Sequence, residues 1–222
     1  MKNLFFTAIV LLGAQVSFAQ LEKNVGDYNS LKVYDKIPTE LIKSNTNKVI
    51  ITGAGEQDVE VINKNGDLKI RMKTFNLLQG DKVNLKVYYK NLTDIQASQG
   101  ARIFSNDKIK TTSLNITSNE GSSVKVDVNT DRLEVKSNSG GEAIINGSTN
   151  LLIVNANSGG KFYGKTLKAE NATLTTNAGG EIEATVSETV ESRTRAGGTI
   201  DVYGSTKVRN DKKFAGGKIT YK

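Results

Sequence analysis

The chain has 222 residues, with 30 Lys and Arg against 23 Asp and Glu, and contains no Cys, His or Trp. Without cysteine there are no disulfides or thiolate metal sites, and without histidine the commonest general base and zinc ligand are missing. The net charge of +7 is mild and its basic residues are scattered. The basic face with interleaved aromatics that nucleic acid wants is therefore absent, and no cofactor or metal ion is expected.

Residues 1–19 read as a leader. Met1-Lys2 is a short basic start, Leu4 to Leu12 is almost wholly apolar, and Ser17-Phe18-Ala19 offers the small residues a signal peptidase recognises. Cleavage is expected before Gln20. The apolar run is far shorter than the roughly 20 residues a membrane span needs, and no Cys follows it to carry a lipid. An exported, soluble mature chain is expected.

Residues 20–99 are expected to form a β-rich N-terminal part that starts or caps the remainder of the chain. Asn47 to Gly53, Asp58 to Ile62, Leu68 to Met72 and Val83 to Tyr89 alternate as strands do. Asn65-Gly66 is a hairpin turn, and Lys36 to Glu40, around the chain's single proline, reads as a loop.

From residue 100 to 222 the sequence repeats. Gly-Gly pairs sit at 140–141, 159–160, 179–180, 197–198 and 216–217, spaced by 19, 20, 18 and 19 residues, and Gly121-Ser122 and Gly100-Ala101 are degenerate versions upstream. A fixed period near 20 residues marks a stacked repeat architecture. Two positions after each pair stand Ile103, Val124, Ala143, Phe162, Ile182, Ile200 and Ile219, apolar every time, between mainly polar neighbours. Each repeat thus opens with a strand whose even positions face inward. A second short strand closes several repeats, with Leu114/Ile116, Leu133/Val135, Leu152/Val154 and Leu174 inward. Turn-formers such as Asn129-Thr130-Asp131 and Gly147-Ser148-Thr149 separate the two. Two or three short strands per period make one coil of a parallel β-helix.

Each Gly pair is expected at a sharp corner needing φ > 0. Asn119, Asn138, Asn157 and Asn177 form a column beside it and are expected to stack as an inward amide ladder. Glu142, Lys161 and Glu181 should be vertical neighbours of alternating sign.

The stretches "VIITGAGEQDVEV" and "LTDIQASQGARI", together with the leader and the run of "SGG" coils, resemble the putative auto-transporter adhesin, head GIN domain family over about residues 25–222. The resemblance implies a right-handed parallel β-helix and an adhesive role at the cell surface. It brings no catalytic residues.

Catalysis finds little support in the residues. Glu181, Glu183 and Asp201 fall close together by this register but on outward columns, and Arg193 and Arg195 have no Asp cluster beside them. The Gly-Gly-x-Gly-x-Asp calcium repeat is missing, and "GAGEQD" at 53–58 precedes no helix. The expected function is non-catalytic binding of a cell-surface or extracellular glycan or protein. The alternatives are a polysaccharide-active lyase or hydrolase and a purely structural envelope protein. Tyr163 and Tyr203, outward on one first-strand face, are the candidate ligand contacts, because a sugar ring stacks on an aromatic face.

Overall fold

The computed structural model describes residues 20–222, and the expected leader at 1–19 lies outside the described residues. The chain begins with β1 (Gln20–Asn24), β2 (Ser30–Val33), β3 (Pro38–Lys43) and β4 (Lys48–Gly53), then a hairpin of β5 (Val59–Lys64) and β6 (Asp67–Met72). Asn65 and Gly66 make the hairpin turn with φ of 55° and 86°, the doubly left-handed form that Asn-Gly adopts cheaply. β7 (Val83–Tyr89), β8 (Asp94–Ala97) and β9 (Arg102–Lys110) come next.

Chain order and spatial order differ in this region. β2 and β3 make one coil. β8 and β9 pair in parallel with one edge of that coil, and β6 and β7 pair in parallel with the other. Beyond β7 the direction reverses: β4 pairs antiparallel with β7, and β1 antiparallel with β4. The sheet therefore curls into a half-barrel at this end instead of stopping at an open coil edge.

The expected loop at Lys36 to Glu40 is a coil corner instead, with strand β3 beginning at Pro38. Asp35 and Lys36 both have φ of 61°, and the Ile37 N–H closes the turn on the Tyr34 carbonyl at 3.3 Å. Proline is tolerated there because it opens its strand. Ile37 itself is fully buried.

The regular part comprises β10 (Ser113–Asn119), β11 (Ser123–Asn138), β12 (Glu142–Asn157), β13 (Lys161–Asn177), β14 (Glu181–Arg195), β15 (Thr199–Tyr203), β16 (Val208–Phe214) and β17 (Lys218–Tyr221). It completes a β-solenoid of about 7 turns, and every apolar residue that the repeat places inward is buried. Glu142 pairs with Lys161 and Lys161 with Glu181, the vertical order the spacing predicts. One expectation fails. The two walls of a coil are a single bent strand of 15 to 17 residues in β11 to β14, not separate short strands. The suspected turn-formers stay in the ladder: Asn129 pairs with Ser148, and the buried Thr130 hydroxyl donates to that of Thr149 at 3.0 Å.

At the Gly-Gly corner the two glycines do different jobs. The first, with the residue before it, is left-handed: Ser158 and Gly159 have φ of 49° and 73°. The Gly160 N–H closes the turn on Asn157 O at 2.9 Å, while the Ser158 and Gly159 amides donate to the next coil. The second glycine is a matter of close approach. A Cβ on Gly160 would overlap the Ser137 carbonyl of the coil below, whereas one on Gly159 would meet nothing within 4 Å.

The Asn column forms the expected ladder. Asn138 Nδ2 donates to Asn119 Oδ1 at 2.9 Å, Asn157 Nδ2 to Asn138 Oδ1 at 2.9 Å, and Asn177 Nδ2 to Asn157 Oδ1 at 2.8 Å. Its placement departs from expectation: the asparagines are half-buried on the outside of the corner, and Ala156 and Ser137 take the inward positions. Alternation alone accounts for this: with Leu133 and Val135 inward, Ser137 follows them inward and Asn138 falls on the outer face, as Asn157 does after Ala156. Asn157→Leu removes two half-exposed amide bonds, so a loss of about 1–2 kcal/mol is expected in a urea melt. An unchanged midpoint would show that the ladder adds nothing to stability.

At the far end the core columns of the β16 wall turn charged, while Ile219 of β17 continues the apolar column of the other wall. Arg209, Asp211 and Lys213 of β16 pair in register with the buried Val190, Ser192 and Thr194 of β14. Tyr221 folds over them: its hydroxyl donates to Asp211 Oδ1 at 2.7 Å, and the Arg209 guanidinium lies 4.0 Å from its ring centre.

Candidate binding surfaces

Two outward surfaces have the makings of a site. The first is the outer face of the half-barrel, where β1, β3, β4, β7 and β9 curve around a cavity of about 480 Å³. Pairing fixes its composition. Glu40 stands between Phe104 and Lys86, and Ile50 lies on the other side of Lys86. Tyr88 and Thr52 line the same hollow, with Gln20 and Asn84 at its end. Phe104 is 39% exposed, unusual for its size in a strand.

Polar groups on this face are held in place. Asn106 Nδ2 donates to Glu40 Oε1 at 3.1 Å, an arrangement made possible by the bulge that breaks register between β9 and β11. The Lys48 ammonium sits 5.1 Å from the Tyr88 ring centre and pairs with Glu22 at 3.2 Å. The hollow thus combines aromatic and aliphatic floor with amide, hydroxyl, carboxylate and ammonium groups. Such a hollow can bind and orient a small ligand.

The second surface is the first-strand face of the solenoid, which holds Tyr163 and Tyr203. Both are half-buried and outward. Tyr163 pairs in register with Glu183, which pairs with Asp201, and Tyr203 pairs with Thr185. Cations occupy the Tyr203 ring: Lys165 lies 4.8 Å and Lys222 5.3 Å from its centre. Its hydroxyl donates to Glu183 Oε1 at 3.4 Å. The hydrogen bond from Lys222 to Asp201, at 2.5 Å, holds that ammonium above the usual lysine range. Lys161 is raised likewise, first by the Tyr163 hydroxyl and then by Glu181.

The three acids that the spacing brings together, Glu181, Glu183 and Asp201, do lie on adjacent outward columns. Glu181 faces Lys161 at 3.7 Å and Asp201 is taken by Lys222. Among the described residues no group of three or more His, Cys, Asp or Glu could hold a metal ion.

The family described as "putative auto-transporter adhesin, head GIN domain" matches residues 27–206. The chain belongs to this family. Solved structures share its fold at low identity. A "putative adhesin" from Bacteroides fragilis superposes with a TM-score of 0.85 at 16% identity, covering 93% of this chain and 98% of that one. A "putative adhesin" from Parabacteroides distasonis gives 0.72 at 17% identity, with 91% and 96% covered. A "putative lipid binding protein" from the same species gives 0.69 at 15% identity, with 94% and 98% covered. No curated protein matches the chain.

In this head GIN domain chain the repeat places the tyrosine face, whereas the half-barrel hollow is built by strands outside the repeat. The signal was in the sequence: Val49-Ile50-Ile51, Val87-Tyr88-Tyr89 and Ile103-Phe104 put apolar residues on both faces of their strands. A strand apolar on both faces is covered on both, or binds something.

Proposed function

We propose that this protein is exported and non-catalytic, and that it binds a cell-surface or extracellular glycan through the half-barrel hollow. The observation that carries the reading is the exposed Phe104, which lines one cavity of about 480 Å³ together with Tyr88, Ile50, Glu40, Lys86, Asn84 and Thr52. Aromatic floor with a few convergent polar groups is the usual make-up of a small-ligand site, and this volume is in the usual range. Export is supported by the leader pattern at residues 1–19 and by the adhesin family. A non-catalytic role is supported by Glu181 and Asp201, which are engaged with Lys161 and Lys222.

Tyr163 and Tyr203 are proposed as contacts of a second surface, where Lys165 and Lys222 flank the Tyr203 ring as Lys48 flanks that of Tyr88. The test is a glycan array followed by calorimetry with residues 20–222. Phe104→Ala and Tyr88→Ala should each weaken binding about tenfold, the loss of one to two kcal/mol that an aromatic contact supplies, with little change in melting temperature. Loss confined to Tyr163→Ala and Tyr203→Ala would move the site to the solenoid face. Product released from a polysaccharide panel would replace this reading with the enzymatic one.

A further inference from the structure

The loop from Lys73 to Lys82, between β6 and β7, exposes three large apolar side chains in four residues. Phe75 is 96% exposed, Leu77 50% and Leu78 48%. Solitary exposed apolar residues need no explanation, but a contiguous cluster on a protruding loop does.

The backbone is held in the shape that presents them. The Gln79 N–H donates to Asn76 O at 3.2 Å, closing a turn in which Leu77 has φ −54° and ψ 141° and Leu78 has φ 61°. This is a type II turn, whose third position belongs to glycine or asparagine. Leucine there is strained and sets Leu77 and Leu78 side by side at the apex. The stems are anchored: Lys73 N–H donates to Asp58 O at 2.8 Å, and Gly80 N–H to Asp35 O at 3.0 Å.

Charge around the base says what the loop meets. Lys73 and Lys82 stand at its two ends, Lys36 lies on the corner beneath it, and Arg102 is one coil further, all exposed. Asp81 and the half-buried Asp58 are the opposing groups, with Asp35 and Glu56 buried. The four exposed cations outnumber the acids that reach the surface, Asp81 and Asp58, and a convex apolar tip in such a setting fits neither a sugar nor an acidic groove. It fits an interface that is apolar in depth and anionic at its surface.

We propose that the 73–82 loop inserts into the headgroup region of an anionic phospholipid bilayer and docks the solenoid there by its half-barrel end. This goes beyond the glycan reading and does not rest on it.

The test is co-sedimentation of residues 20–222 with vesicles of phosphatidylcholine alone and of equimolar phosphatidylcholine and phosphatidylglycerol. Binding to the mixed vesicles is expected, weakening as salt screens the lysines. Phe75→Ser with Leu77→Ser should reduce it by about tenfold or more, with the melting temperature unchanged because both side chains are exposed. Leu78→Gly separates function from folding: it relieves the turn, so it should raise the melting temperature while lowering vesicle binding. Undiminished binding by the Phe75/Leu77 variant overturns the proposal. So does failure to bind either vesicle, which would leave the loop to a protein partner.

Discussion

Gly160→Ala is expected to cost about 3 kcal/mol or more, whereas Gly159→Ala, one residue earlier, should cost only about 1–2 kcal/mol. The sequence shows two identical neighbours, but the structure gives them unlike surroundings. Gly159 is left-handed over open space, so a methyl group there meets only the backbone penalty. Ser158 and, in the next corner, Ala178 already accept that penalty at φ of 49° and 46°. Gly160 is inward, and a methyl group there would overlap the Ser137 carbonyl, which is backbone and cannot rotate away. The two coils would have to part at the corner. Ser122, at the same place in an earlier coil, shows what a larger residue requires: its hydroxyl donates to Ala97 O at 2.7 Å and accepts the Asn119 N–H at 2.9 Å. Paired urea melts decide the matter. Equal losses for the two variants would mean that left-handed strain, not coil spacing, governs both positions.

Phe162→Ala should cost about 3–5 kcal/mol, as large aromatic deletions in tight cores do. Phe162 is fully buried, and its ring leans along its own strand into the space left by Gly164. In the coil below, Ala143 and Ile145 fill the same two positions in the opposite order of size. The neighbours therefore compensate in volume, and their substitutions should not add. Gly164→Ala alone pushes a methyl group against the Phe162 ring and should destabilise by about 1–3 kcal/mol. In the Phe162→Ala background the same methyl group fills the cavity and should stabilise. That reversal of sign in a double-mutant cycle is the expected result, and simple additivity would refute the packing argument.

The parts of the fold that were legible in the sequence are those in which each coil repeats the last. The inward columns, the charge register of Glu142, Lys161 and Glu181, and the Asn ladder all derive from a constant period, because parallel stacking turns sequence spacing into vertical contact. The corner at Asp35-Lys36 was hidden because it adopts the double left-handed turn without any glycine. The half-barrel was hidden for another reason. β6 and β7 pass beneath a coil that precedes them in the chain, and antiparallel β4 and β1 then continue the sheet. No period records either event. The hollow is built by those non-repeating strands, so its residues were visible only as surplus apolar positions. Tyr163 and Tyr203 could be placed outward by alternation, but the lysines over Tyr203 come from coils on either side and depend on side-chain reach.

A stack of like layers has no natural stopping point, since each layer offers the next the same hydrogen bonds and the same apolar floor. In β16 the floor is replaced by Arg209, Asp211 and Lys213. A strand laid over them would entomb three ions, at an effective penalty of several kcal/mol for each one left unpaired. The layer thus works as a terminator written in side chains while its backbone remains ready to extend. With the opposite end turned back on itself by antiparallel strands, the two ends of the described solenoid are unlike, and the stack has a direction. A second copy stacked on the β16 wall would have to bury those charges, which leaves the half-barrel end as the one that can be aimed.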